Sequence, residues 1–479
     1  GYEYLGEQTV KNIAKPVGAY RVLMEPRVTV AGEKEKAKLV PLWRRKSILA
    51  GGVAFVVLVI AAVIWNFYFR PPPMEVASKE RMAFPLPEKP SIAVLPFTNL
   101  SGDKDQEYFA DGITEDIVTD LSKVSGLFVV ARNSTFIYKG RAVKVREIAE
   151  ALGVRNILAG SVRRSGDRMR INVQLIDALK GSHLWAERYD RERKDLFSVS
   201  DDVAHRVVSE LAVTLKVSEQ ERLFRRHTEN LEAYETFLHA RRVLTATKEA
   251  TLQAKKLFER VMELDPRFAG GYAGLSLVLS RLVRHGFSAS PEEDNERSLK
   301  LAQRAVAIDD TFGWSYLALA SAYLNKREHD KAIATLEEWI RIQPGSADAY
   351  RSLGFNLHWA GRGDEAIDSV KKSIRLDPGY ERFILGMAYF TAGRYEDAIA
   401  TINQKYADCA RKGHLILCFL AASYAAIGHD EKAREVTKVF LKKHPRFTLS
   451  SYPHLRLYKR TEDRDRYANL LRRAGMPEK

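Results

Sequence analysis

The apolar and polar positions divide the chain into segments of unlike character. From Ser47 to Phe69 it reads SILAGGVAFVVLVIAAVIWNFYF, uncharged, with only Ser47 and Asn66 clearly polar. A helix of this length, at about 1.5 Å per residue, crosses a hydrocarbon core of about 30 Å, so a transmembrane helix is predicted over 47–69. Trp43, Arg44, Arg45 and Lys46 precede it, and Arg70 with Pro71, Pro72 and Pro73 ends it. By the positive-inside rule residues 1–46 are expected in the cytosol and everything beyond Arg70 on the periplasmic or extracytoplasmic side.

Beyond a proline-rich linker at 70–89, residues 90–216 alternate between strand and helix patterns. SIAVLPF from Ser91 is a continuous apolar run, as in a buried strand. Phe109, Ile113, Ile117 and Leu121 then share one helical face. A strand at Leu127 to Arg132 and a helix from Val145, closed by Gly153, follow. Ser165, Gly166 and Asp167 mark a hairpin, whose second arm alternates Met169, Ile171, Val173 and Leu175 with polar neighbours. A strand from His183 and a helix from Leu196 complete a βαβαβββα order. At the other end of the chain, residues 1–26 contain two short strand-like pieces, Tyr2 to Leu5 and Val17 to Leu23, joined to the apolar run by a linker at 27–46. Two such strands are marginal alone.

From 229 to 475 the dominant signal is an internal repeat. Pro344 and Pro378 lie 34 residues apart, with Asp310 in the equivalent place before them. Tyr316, Leu319, Ala320, Tyr323, Ala332 and Pro344 define one unit, and Tyr350, Leu353, Gly354, Leu357, Ala366 and Pro378 the next. Gly386, Tyr389 and Ala398 belong to a later unit, Ala433 and Pro445 to the last. Large residues fill the groove between paired helices, and glycine or alanine sits where helices approach closely. Trp339 occupies a normally small position and is expected to widen its contact or expose a ring. His285 to Asp294 is expected to hold ten extra residues as a loop.

The charge of +15 and pI near 9.5 raise the possibility of nucleic acid or an acidic partner, but the cations are scattered through helices, so no nucleic acid is expected. Arg351, Lys371 and Lys372 are candidates for an acidic partner, though a solvated helix face also accounts for them. Cys409 and Cys418 are too few for a disulfide framework; they read as two buried free thiols or, outside the cytosol, as a pair. No phosphate loop, paired-histidine zinc motif or complete calcium loop is present, although Asp103, Asp105 and Glu107 imitate the start of one. Asp111 and Glu115, four apart on a helix, read as surface carboxylates. No catalytic residue, metal site or cofactor is expected in this chain.

Three resemblances refine the picture. Leu5-Gly6-Glu7, Val10-Lys11-Asn12-Ile13, Pro16-Val17 and Tyr20-Arg21-Val22 resemble the terminal strands of class III nucleotide cyclase domains. That resemblance implies a nucleotide phosphate contact for Lys11, which a solvated loop lysine matches equally, and a homodimer through the cyclase domain. The paired aspartates and the Asn and Arg of that family are absent, and the first residue is Gly1, so the chain is expected to be a truncated C-terminal portion without activity of its own. Mg2+ or Mn2+ is then expected only for the missing catalytic domain. Residues 90–216 resemble the TolB N-terminal-like domain, which implies a noncatalytic module. The repeats resemble tetratricopeptide repeats, which implies peptide or protein binding in a concave groove. The expected class is therefore multidomain: a hairpin remnant, a single transmembrane helix, an α/β domain and an all-α solenoid. The expected setting is a single pass through the bacterial inner membrane, with the outer modules periplasmic. A cyclase regulator is the leading reading, and a scaffold or sensor without cyclase activity the alternative.

Overall fold

The computed structural model describes residues 2–8, 17–22, 76–102, 107–192, 195–223, 225–245, 247–379, 383–404, 406–412 and 416–479. The chain forms two compact units, 1–72 and 73–479. In the first, β1 (Tyr2–Gln8) pairs antiparallel with β2 (Val17–Val22), Tyr4 opposite Tyr20.

The second unit begins with a small sheet. β3 (Ser91–Val94) lies parallel to β5 (Phe128–Val129) and to β6 (Asn156–Ser165), and the two-residue β4 (Thr98–Asn99) also joins β6. β7 (Arg168–Asp177) and β8 (Ser182–Glu192) extend β6 as an antiparallel meander. Met169, Ile171, Val173 and Leu175 are buried while their neighbours Arg168, Arg170, Asn172 and Gln174 are exposed, because successive side chains on a strand face opposite sides. The helices of this part are α1 (Glu107–Ser122), α2 (Arg132–Phe136), α3 (Val145–Leu152), α4 (Leu196–Glu210) and α5 (Val217–Leu223). α1 buries Phe109, Ile113, Ile117 and Leu121.

Helical hairpins follow: α6 (Leu231–Val243) with α7 (Lys248–Leu264), α8 (Ala269–Arg284) with α9 (Pro291–Ile308), and α10 (Gly313–Asn325) with α11 (His329–Ile342). Next come α12 (Ala347–Trp359) with α13 (Gly363–Leu376), α14 (Phe383–Thr391) with α15 (Tyr395–Asn403), the short α16 (Tyr406–Lys412), and α17 (Ile416–Ala426) with α18 (Asp430–Lys443). A 3-10 turn at Pro453–Leu457 leads into α19 (Thr461–Arg473).

The expected class needs correction. The described protein is mostly helical, with tetratricopeptide-like repeats, a two-stranded pair in the first unit and one small six-stranded sheet in the second, and that six-stranded sheet and the repeats form one unit. The physical reason is a shared core. Ala347 and Leu376 of the repeats are buried together with Ala93 and Phe128 of the sheet and Ile148 of α3. Ile113 of α1 and Ile171 of β7 belong to the cluster that also contains Phe237 and Phe258 of the repeats. Among the described residues no helix is long and apolar enough to cross a membrane. The single-pass inner-membrane placement with periplasmic outer modules is corrected accordingly, and the apolar run at 47–69 lies outside the described residues.

Two smaller expectations also change. Trp339 neither widens its contact nor exposes its ring: it is buried, and Gly313 makes the room, since a Cβ there would lie 2.5 Å from Trp339 Nε1. The segment after His285 is a loop only as far as Ser290; Pro291 then starts α9, so the remaining extra residues lengthen that helix. At Gly354 the repeat admits no side chain, because a Cβ would overlap Val370 Cγ2 and stand 3.1 Å from Ala366 O. Gly354→Val is expected to cost about 1–3 kcal/mol through overpacking, read as a lower urea midpoint with an unchanged slope. An unchanged midpoint would contradict this close approach.

Candidate interaction site

The repeat-defining residues are packing residues. Tyr316, Ala320 and Ala332 share a core with Trp339, while Tyr323 and Leu353 pack at its margin. Tyr316 Oη donates to Asp310 O at 2.8 Å. Leu357, Ala366, Tyr389, Ala398 and Ala433 are buried in the C-terminal core. Leu319 packs against the N-terminal core, and Gly386 faces Ile402, whose Cγ1 would be 2.6 Å from a Cβ at 386. Pro344 and Pro378 are half-buried in their loops and Pro445 is exposed. Tyr350 packs against the cluster shared with the sheet. Lys11 lies outside the described residues, as do Asp103 and Asp105.

The loops between hairpins carry a second role. Gly345 N donates to Ser122 O at 2.9 Å, and Gly379 N donates to Ser134 Oγ at 2.7 Å. Each glycine follows a loop proline, and a Cβ at either would stand 3.0 Å from the facing serine's Cα. Gln343 Nε2 donates to Ser122 Oγ at 2.6 Å while its Oε1 accepts from Trp339 Nε1 at 2.8 Å. Asp377 accepts from Ser134 Oγ at 2.6 Å and from Asn133 Nδ2 at 2.9 Å. On α1, Asp116 meets the Tyr234 hydroxyl and Glu115 pairs with Arg241. Asp111, the other carboxylate of the spaced pair, holds Lys139 at 2.5 Å. The sheet and α1 are thus held by the loop edge of the array and by α6.

The concave side remains open. A cavity of about 450 Å³ is lined by the first helices of successive hairpins, α6, α8, α10, α12 and α14. It brings together Arg241, Arg281, Arg284 and Arg351, with Trp314 and Phe355 as aromatic walls, and no carboxylate among the described residues lines it. Of the three cations singled out from sequence, only Arg351 reaches this cavity; Lys371 and Lys372 are exposed on α13. Arg281 and Arg284 are three residues apart, a spacing that puts both on one helical face but is equally common on solvated surfaces. Burial pulls the Arg281 guanidinium down, and burial together with the Arg281 charge pulls Arg284 down to about 10. Burial likewise holds His285, beside them, at about 4, with both arginines adding to the effect.

Neither cysteine is in a disulfide: Cys418 is buried and Cys409 half-buried. Burial pushes the Cys418 thiol up, so it is an inert packing group.

Comparison with known proteins gives matches to parts of the chain. Residues 88–209 match a family described as HilA/YgeH-like transcriptional regulator, second domain, and residues 315–346 match the tetratricopeptide repeat. A Rhizobium meliloti (strain 1021) protein named "Putative adenylate cyclase 3" is 47% identical over 249 residues, covering 52% of this chain and 42% of that protein. The chain therefore spans less than half the length of this relative. A thermophilic tetratricopeptide-repeat protein of Thermus thermophilus aligns with 41% of this chain and 98% of its own at 18% identity and a TM-score of 0.32. TolB from Acinetobacter baumannii aligns with 29% of this chain and 32% of its own at 17% identity and a TM-score of 0.21. The chain carries tetratricopeptide repeats, and with them a protein-interaction role.

Proposed function

We propose that this chain is the protein-interaction and regulatory portion of a class III adenylate cyclase. The observation that carries the reading is 47% identity across half the chain to a relative named as an adenylate cyclase, joined to an array whose concave side is open. The array would bind a partner protein and pass that occupancy, through the loop contacts at Gly345 and Gly379, to the sheet that it holds. Catalysis, with its Mg2+ or Mn2+ and its pairing into a homodimer, would belong to a cyclase domain, and Lys11 would be that domain's contribution from this chain. The match of residues 88–209 to a regulator domain favours a second reading, in which the same module serves a transcriptional regulator.

The test is an assay with ATP and either metal ion. This chain alone is expected to form no cyclic AMP, whereas a polypeptide joining it to a catalytic cyclase domain is expected to form it at a rate that changes when the groove is filled. Turnover by the chain alone would overturn the assignment, as would a joined polypeptide indifferent to every change in the array.

A further inference from the structure

The arginines of the concave cavity differ in how their charge is met. Arg241 has Glu115, and Arg351 has Asp348. Among the described residues Arg284 has only a neutral partner, Asn325 Oδ1, at 3.3 Å from its Nε, and its guanidinium stands 6.0 Å from the Phe355 ring centre. For the Arg281 side chain there is no hydrogen-bond or ionic partner among the described residues, and neither Arg281 nor Arg284 has a carboxylate within 4 Å there. A guanidinium cannot shed its charge in a protein, so two of them side by side and partly buried raise the energy of the empty site. The same cavity also holds a buried acceptor: Asn356 is 4% exposed, its Nδ2 donates to Ser352 O at 2.8 Å, and its Oδ1 has no partner among the described residues.

We propose that the wall formed by Arg281, Arg284 and Asn356 accepts a carboxylate-bearing, extended peptide segment of a partner protein. The two forks require acceptor oxygens, and a carboxylate presents two in matching geometry. Asn356 Oδ1 requires a donor, which a peptide N–H beside that carboxylate supplies and a bare anion does not. Trp314 and Phe355 offer apolar walls for neighbouring side chains. The volume, about 450 Å³, is that of a small-ligand site and suits a short segment, not a folded domain. This inference rests on the protein-interaction reading of the array and is independent of any cyclase activity.

The test uses the whole chain and a labelled hexapeptide of alternating Glu and Leu, compared with its Gln and Leu counterpart, by fluorescence anisotropy. The Glu peptide is expected to bind, the Gln peptide to bind about tenfold or more weakly, and Arg281→Gln and Arg284→Gln each to cost about tenfold, the loss of a charge-assisted hydrogen bond. Because Arg281→Gln removes a like charge from the empty site, it is also expected to raise the urea midpoint, which a merely structural arginine would not do. Ser321→Glu, which places a carboxylate in the cavity, is expected to block the peptide while the protein stays folded. Equal binding of both peptides, indifference to these substitutions, or displacement of the Glu peptide by millimolar inorganic phosphate or cyclic AMP would overturn the proposal. A negative result here with partner-dependent cyclase activity intact would reject the ligand chemistry alone.

Discussion

Trp359→Ala is expected to lower the unfolding free energy by about 3–5 kcal/mol, the usual cost of emptying a large aromatic site in a packed core. The ring is 1% exposed. Its neighbours come from its own helix and from distant parts of the chain: Phe355 on the same helix at 5.9 Å between ring centres, Phe419 of α17 at 6.3 Å, Tyr458 at 4.9 Å and His454 at 6.1 Å. The backbone carbonyl of Trp359 also accepts from Lys459 N at 2.9 Å. The segment from His454 to Lys459 folds back over the array at this point. Arg456 donates to Val283 O, Arg327 to Tyr458 O and Lys459 to Asp330. Two of these bonds are part-buried and the third is exposed, and each is individually weak, so the aromatic seat is the main hold on the segment. The expected readouts are a lower urea midpoint and faster proteolytic cleavage near 448–459, with Trp359→Phe recovering part of the loss. A change below about 1 kcal/mol would show that the segment does not depend on this ring.

The elements legible in the sequence are those fixed by local spacing. The alternation of Met169 to Leu175 shows a half-buried strand because a strand's period is two, and the 34-residue repeat shows hairpin positions because each hairpin buries the same face. Gly354 and Gly386 are readable as close approaches for the same reason. What is not legible depends on which distant surfaces meet. Nothing local in Tyr350 or Leu376 says that they pack on a sheet rather than on another repeat. A signal does exist in the loops: Pro344-Gly345 and Pro378-Gly379 carry glycine after the proline, where Pro266 and Pro445 are followed by arginine. The two glycine-bearing loops approach the helices of the sheet closely, so glycine marks the docking edge. Arg281 and Arg284 escape a reading of the sequence because a cation pair at helical spacing looks like a solvated face until the concave side is known. Trp339 misleads because its room comes from Gly313, in the helix preceding its own.

Stability is expected to peak near pH 6.5–7 and to fall on both sides, with the two limbs carried by different residues. On the acid side four histidines are held neutral by burial: His358 and His454 at about 3, and His285 and His329 at about 4. Each would take up a proton near 6.5 in the unfolded chain, so the unfolded state binds more protons as pH falls from about 6.5 to 3, and stability is lost in that window. The loss is on the order of several kcal/mol in total, with the half-buried His285 and His454 contributing least. The largest shift in the opposite direction is at Asp116; Asp201 and Asp377, also raised by burial, act in the same sense. Burial raises the Asp116 carboxyl to about 8, the Tyr234 hydrogen bond opposes the rise, and the nearby Asp120 and Glu115 charges add to it. The folded state therefore keeps a proton that the unfolded chain loses near 3.8, so its contribution declines as pH rises from about 4 to about 8. Below pH 6.5 the four histidines outweigh these carboxyls, and above it the fall is carried mainly by Asp116. Asp309 does not disturb either window above pH 4: burial would raise it, but the hydrogen bond and charge of His227 hold it at about 2. Urea unfolding at pH 5, 6.5 and 8 checks the profile. Asp116→Asn, neutral at every pH, is expected to flatten the limb from 6.5 to 8 and leave the acid limb in place. A fall above pH 6.5 that survives this substitution would remove Asp116 from the explanation, and a stability that rises from 6.5 to 8 would show that the contact between α1 and Tyr234 keeps its carboxylate ionised.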